Sequence, residues 1–236
     1  MEISGSIALV TGANRGIGRR FAQQLVARGA SKVYATARTP ESIDIAGVET
    51  LALDITDAAS IARVAEVATD ATLLINNAGI ATGASLITGD LDELHREMNT
   101  HYFGSLGMVR AFAPILKQNG GGAIVNVLSA LSWFSMGGAN SYAAAKAAEW
   151  AMTNGIRLEL ASQGTLVTGV HLGAADTDIM AKYDGPKLDP TDVANIALDG
   201  VEANLIEVLV DDWSRHIKAS LAKDPIEFYG KAIGRA

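Results

Sequence analysis

The sequence predicts an α/β chain in three layers, α/β/α, built on a doubly wound parallel sheet with helices on both faces. Three observations carry that reading. Short apolar runs of strand length alternate with longer stretches whose apolar residues recur every three or four positions, and such alternation builds βαβ units. The first apolar run leads straight into a glycine-rich turn and then into a helical stretch. With 236 residues, 49% of them apolar, the chain suits one large core, and no linker, repeat or low-complexity tract divides it. The expected organisation is a single domain over residues 1–236, with 213–236 as a helical C-terminal tail.

Ile7 to Val10 is the first strand. It meets Thr11-Gly12-Ala13-Asn14-Arg15-Gly16-Ile17-Gly18, after which Ile17, Phe21 and Leu25 share a helix face that Ala22 and Val26 widen. Gly29 marks that helix's end, and Val33 to Thr36 is the second strand. Thr50 to Leu53 is a strand ending in Asp54, Ala58 to Ala68 a helix, and Thr72 to Ile75 a strand running into Asn76-Asn77-Ala78-Gly79. One long helix is expected from about Leu91 to Gln118, on the stripe Leu94, Met98, Tyr102, Leu106, Val109, Phe112 and Leu116. Asn119 and three glycines stop it. A strand from Ala123 to Leu128 follows, then a helix through Tyr142 to about Ala161. The strand Leu166 to Leu172, the loop Gly173 to Asp189, the helix Thr191 to Ala203 and the strand Ile206 to Val210 complete the pattern.

Composition narrows the function classes. The net charge of −7 and the absence of a basic cluster disfavour nucleic acid and anionic membranes as partners. There is no cysteine, which excludes disulfides and thiol catalysis. The four histidines show no ligand spacing, so no metal is expected. No run is long and apolar enough to span a bilayer, and the N-terminus lacks a basic, apolar leader, so the expected setting is cytoplasmic. No GxSxG elbow is present, which disfavours an α/β hydrolase.

The glycine turn is spaced GxxxGxG. Glycines after a strand let the chain turn tightly and let a pyrophosphate approach the backbone at a helix N-terminus. This Rossmann-type unit therefore points to a dinucleotide. Sites for NAD usually place an acid just past the second strand, but here the segment reads Tyr34-Ala35-Thr36-Ala37-Arg38. Arg38, with Arg15 on the other side, suits a 2′-phosphate, which favours NADP(H) over NAD(H).

The stretch Ala123 to Arg157 carries the chemistry. A strand delivers Ser129, and Tyr142 and Lys146 lie four residues apart on one helix face. A nearby ammonium favours the phenolate, and a phenol so tuned exchanges a proton with an alcohol oxygen. A serine hydroxyl beside it would hold that oxygen.

With these motifs the sequence resembles the short-chain dehydrogenase/reductase family over nearly the whole chain, to about Asp212. The matching residues are Thr11-Gly12-x-x-x-Gly16-Ile17-Gly18, Asp54, Asn76-Asn77-Ala78-Gly79, Ser129, Tyr142-x-x-x-Lys146 and Gly173-x-x-x-Thr177. The resemblance implies an NADPH-dependent carbonyl reductase acting on a small or medium apolar ketone or aldehyde. Tyr142 would be the general acid, Lys146 would hold the nicotinamide ribose and depress the Tyr142 pKa, and Ser129 would polarise the carbonyl. Gly12, Asn14, Arg15, Gly16, Ile17, Gly18, Arg38, Asp54, Ile55, Asn77, Ala78, Gly79, Ala175 and Thr177 would join Tyr142 and Lys146 around the cofactor. Leu131, Trp133, Phe134, Met180 and Tyr183 would line the substrate pocket, and a homodimer or homotetramer is expected. An NAD-linked alcohol dehydrogenase and a non-catalytic nucleotide sensor are the alternatives.

Three departures stand out. His101 occupies the place where the family usually has a relay Asn, so the imidazole joins the candidate catalytic set. Leu172 replaces the usual Pro before Gly173, which is expected to loosen that turn. Val210-Asp211-Asp212-Trp213 replaces the usual ending, and the tail that follows could cover the pocket or build a subunit contact.

Overall fold

In the computed structural model, which describes residues 1–234, seven strands form one parallel sheet. They are β1 (Ile7–Thr11), β2 (Lys32–Ala37), β3 (Glu49–Ala52), β4 (Leu73–Asn76), β5 (Ala123–Val127), β6 (Leu166–His171) and β7 (Glu207–Leu209). Their spatial order is β3-β2-β1-β4-β5-β6-β7, so the direction of winding reverses between β1 and β4, where open α/β sheets bind ligands. Residues 235–236 of the expected tail lie outside the described residues.

Alternation along each strand sorts side chains onto the two faces. In β1, Ala8 and Val10 face one core and Leu9 the other. The first core is closed by α1 (Gly16–Ala27), through Phe21 and Leu25, and by α6 (Pro190–Glu202), through Val193, Ala197 and Leu198. The second gathers Leu74, Ile124 and Val167 under α2 (Ala58–Val67), α4 (Ser105–Gln118) and α5 (Asn140–Glu159). Fully burying each such side chain contributes about 1.5–3 kcal/mol. Gly29 ends α1 with φ +80°, and the Ala30 N–H reaches the Leu25 carbonyl while its own N–H reaches Val26, the paired closure a left-handed glycine allows.

The expected long helix is divided. α3 (Leu91–Met98) and α4 flank a π-helical segment, Asn99–Gly104. Two contacts act at this point. The Thr100 hydroxyl bonds back to the Arg96 carbonyl at 2.8 Å, competing with the helical ladder. Gly104 presses so closely on Ile55 that a Cβ there would meet it at 2.9 Å. The wider turn leaves His101 buried beneath Gly79, whose own Cβ would lie 2.6 Å from the imidazole.

The turn at Gly173 is tied to the chain's unusual ending. The Gly173 N–H donates to Asp211 Oδ2 at 3.1 Å, and Asp211 also caps α7 (Asp212–Ser220) by accepting the Ser214 N–H at 3.0 Å. The unusual ending therefore supplies a side-chain contact to the turn that lacks the family's usual proline. The tail continues through the short α8 (Pro225–Tyr229). No helix of the described residues is long and apolar enough to cross a membrane.

Candidate active site

The glycine turn and the strand beyond it are tied together by short polar side chains. The Thr11 hydroxyl accepts the N–H groups of Asn77 (2.9 Å) and Ala78 (3.0 Å) and donates to the Ile75 carbonyl. The Asn77 side chain donates to the Thr11 carbonyl at 2.9 Å. Gly18 sits so close that a Cβ would lie 2.2 Å from the Gly12 carbonyl oxygen and 2.4 Å from the Asn77 amide. Gly12 and Gly16 have φ of +68° and +54°, values that a side chain would strain.

These features fit a dinucleotide. The α1 N-terminus has an extended Arg15 at its N-cap and no side-chain cap, so its first N–H groups are presented to an anion. Asn14 and Ile17 belong to the same turn, and Thr177 packs on Gly16 from the opposite loop, where a Cβ on Gly16 would meet its methyl at 3.1 Å. Ala175 is buried and fixed by a bridge to Leu188. Asp54 bonds the Thr56 N–H and hydroxyl through Oδ1. Its pKa is lowered chiefly by the Thr56 hydroxyl and also by Arg38. Arg38 itself is exposed at the end of β2. Arg15 is paired with Asp178 at 2.9 Å on the surface. The Ile55 side chain is buried against Gly104. An open cleft of about 670 Å³ lies beside the turn, lined by Gly16, Arg19, Thr177 and Lys187 among others, and it does not include Ser129, Tyr142 or Lys146.

The Ser-Tyr-Lys set meets at the carboxyl end of β5. A buried polar chain locks α5 to the sheet: Asn76 donates to Asn126 (2.9 Å), and Asn126 donates to the Thr153 hydroxyl (2.8 Å). Ser129 starts a single 3₁₀ turn, and its hydroxyl accepts the Leu131 N–H at 3.1 Å. Tyr142 lies against Ser129, edge-on to His101 with ring centroids 5.2 Å apart. The Lys146 ammonium is 5.9 Å from the Tyr142 ring centroid. It donates to the Val127 carbonyl and to Glu149 Oε2, each at 2.7 Å.

Glu149 is the site residue that sequence reasoning missed. Its signal was available, an acid three positions past Lys146 on the same face. Burial pushes the Tyr142 phenol up, and it outweighs the downward pull of Lys146; Glu149 adds to the rise and Ser129 opposes it. The expected depression by Lys146 is thus present as a contribution while the net direction is upward. Burial pulls the Lys146 ammonium down, but the Glu149 charge prevails and raises it. The His101 imidazole is driven well below its usual range by burial and then by Lys146, so it is neutral, with Nε2 2.7 Å from the Ile80 carbonyl.

The proposed pocket residues divide. Leu131 is half-buried two residues after Ser129, and Met180 closes the short turn after Thr177. Trp133 is stacked on His171, centroids 3.7 Å apart, and Phe134 is stacked on Tyr229 of the tail at 5.4 Å. Tyr183 is exposed and lies over Gly185 of its own loop. The structure therefore brings Leu131 to Ser129, and turns Phe134 toward the tail and Tyr183 toward its own loop.

His171 carries a stability prediction. Burial pushes its pKa from 6.5 to about 4, against its contact with the Ser129 carbonyl. Between those values the unfolded chain binds the extra proton and the folded chain does not, so stability rises with pH. That contribution, about 3 kcal/mol, is present above pH 6.5 and lost as pH falls toward about 4. Urea unfolding across that window is expected to show a steep acid limb, made shallower by His171→Asn. An equally steep limb in the variant would contradict the assignment.

Comparison with known proteins gives a consistent picture. A family model described as short chain dehydrogenase matches residues 6–187. A short chain dehydrogenase from Burkholderia cenocepacia J2315, solved in complex with NADP, is 38% identical, with 98% of each chain covered and a TM-score of 0.94. A 3-ketoacyl-(acyl-carrier-protein) reductase from Brucella melitensis, complexed with NADH, is 25% identical over 89% of this chain and 98% of its own, with a TM-score of 0.82. The 3-oxoacyl-acyl-carrier-protein reductase FabG of Vibrio harveyi is 34% identical over 188 residues, 76% of this chain and 77% of its own.

Proposed function

Since the chain belongs to the short-chain dehydrogenase/reductase family of oxidoreductases, we propose that it reduces a small or medium apolar ketone or aldehyde to the alcohol with NADPH, Tyr142 being the general acid. The observation that carries this reading is the packing of Ser129, Tyr142 and Lys146 into one site at the carboxyl end of β5. When bound, the nicotinamide supplies a hydride. The Ser129 hydroxyl orients the carbonyl oxygen, and the Tyr142 phenol donates its proton to that oxygen as the alcohol forms. Lys146, its charge balanced by Glu149, steadies the phenolate left behind.

The preference for NADPH rests on Arg38 and on the lack of an acid from Tyr34 to Ala37; the NADP complex of the Burkholderia relative supports it. One observation favours the NAD-linked alternative: Arg15, the second candidate for the 2′-phosphate, is already paired with Asp178. Dissociation constants for NADPH and NADH decide between them. Arg38→Asp is expected to weaken NADPH at least tenfold, since hydrogen bonds to charged groups contribute about 1.5–3 kcal/mol, and to leave NADH near its original value. Equal effects on both nucleotides would remove Arg38 from the phosphate site.

A further inference from the structure

Behind Tyr142 and Lys146, α5 carries a carboxylate that reduction does not itself require. Glu149 is 1% exposed. Its Oε2 accepts the Lys146 ammonium at 2.7 Å and its Oε1 accepts the Ser105 hydroxyl, from α4, at 3.0 Å. The His101 Nδ1 stands 3.9 Å from Oε2 and has no hydrogen-bond partner among the described residues. With Nε2 2.7 Å from the Ile80 carbonyl, the proton belongs on Nε2, so Nδ1 turns a lone pair toward the carboxylate.

We propose that Glu149 is a positioning residue of the reaction: by holding and neutralising the Lys146 ammonium it sets the pH range over which Tyr142 exchanges its proton. The inference rests on the reading of Tyr142 as the proton donor and deepens it.

An ammonium has three N–H groups. Two of those on Lys146 are committed, to Val127 and Glu149, and together they fix where the third points. A free ammonium at this distance would favour the phenolate strongly in so dry a site. Paired with a carboxylate it acts as a dipole, whose field on the phenol is much weaker. Each turnover places one hydride on carbon and one proton, from Tyr142, on oxygen. The phenolate regains its proton from solvent, and the pH at which that is possible depends on the net charge behind it.

The groups that face this cluster do not replace Glu149. His101, from the π-helical segment, is neutral. Glu97, from α3, raises the Tyr142 pKa, but the hydrogen bonds of its Oε1 go to the N–H and hydroxyl of Thr82. His171, on β6, lies in the field of Lys146 and is also neutral near pH 7. Lys146 and Glu149 therefore exert the strongest opposing charge effects on the phenol, ahead of Glu97, and a pair this buried is weak evidence of a purely stabilising role, because apolar side chains of similar volume often serve a core as well.

The test uses the full chain and needs no substrate. Tyrosinate absorbance is titrated in the wild-type protein and in Glu149→Gln, with the matching Tyr142→Phe backgrounds subtracted to isolate Tyr142. Gln keeps the shape and the acceptor for Ser105 while removing the charge. Tyr142 is expected to ionise at a pH lower by at least about one unit in Glu149→Gln, and Glu149→Asp, which keeps the charge, to stay near wild type. No shift, or an upward one, overturns the proposal. If Glu149→Gln does not fold, Glu149→Met, which also removes the charge, decides: a Tyr142 titration that does not move down then counts against the proposal. In carbonyl reduction the same variant should shift the kcat–pH profile downward with little change in KM. Absence of any carbonyl turnover in the wild type would instead refute the proposed function, while the titration still decides the role of Glu149.

Discussion

Tyr142→Phe is expected to lower kcat/KM for carbonyl reduction by about 10²–10⁴-fold, the usual contribution of a positioned acid, while NADPH binds as before. Only a hydroxyl is removed. The ring keeps its edge-on contact with His101 and its place beside the Lys146 ammonium, so folding stability should barely change. The comparison of kcat/KM with thermal unfolding separates the two effects. Loss of activity together with a large loss of stability would assign Tyr142 to packing, and full activity in a folded variant would remove it from the mechanism.

Lys146→Met is expected to cost both activity and about 3–5 kcal/mol of stability, because it leaves Glu149 buried with no counter-charge. Adding Glu149→Leu removes the orphaned charge and should recover most of that stability, since apolar replacement of a buried pair is often neutral. Activity should not return, because Lys146 is also the group that steadies the phenolate. Urea unfolding of the wild type, both single variants and the double variant measures the coupling. A cycle that closes additively would show that the 2.7 Å contact carries no net interaction.

Much of this was legible in the sequence because it depends on local spacing. The seven strands follow from short apolar runs, and the glycine turn, the Asn76 to Gly79 stretch and the four-residue step from Tyr142 to Lys146 are contiguous signals. What escaped depends on long-range contacts. The division of the long helix reflects the meeting of Gly104 with Ile55, 49 positions away, and the apolar stripe runs through it without a break. Glu149 stands in an alanine-rich helix where an isolated acid reads as a solvated charge, and only the fold buries it beside Lys146. Asp211 reaches back 38 positions to Gly173, and Arg15 forward 163 positions to Asp178. Trp133 and Phe134 were expected at the substrate, and the sequence could not show that their rings also stack on His171 and on Tyr229 of the tail.

The most direct test of the account is the loss of NADPH absorbance when the protein is given a panel of small apolar ketones and aldehydes, alongside the same panel with NADH. The account predicts turnover with NADPH on at least one of them, weaker turnover with NADH, and collapse of both in Tyr142→Phe. Tight NADPH binding with no turnover on any carbonyl, or turnover that Tyr142→Phe leaves intact, would contradict it.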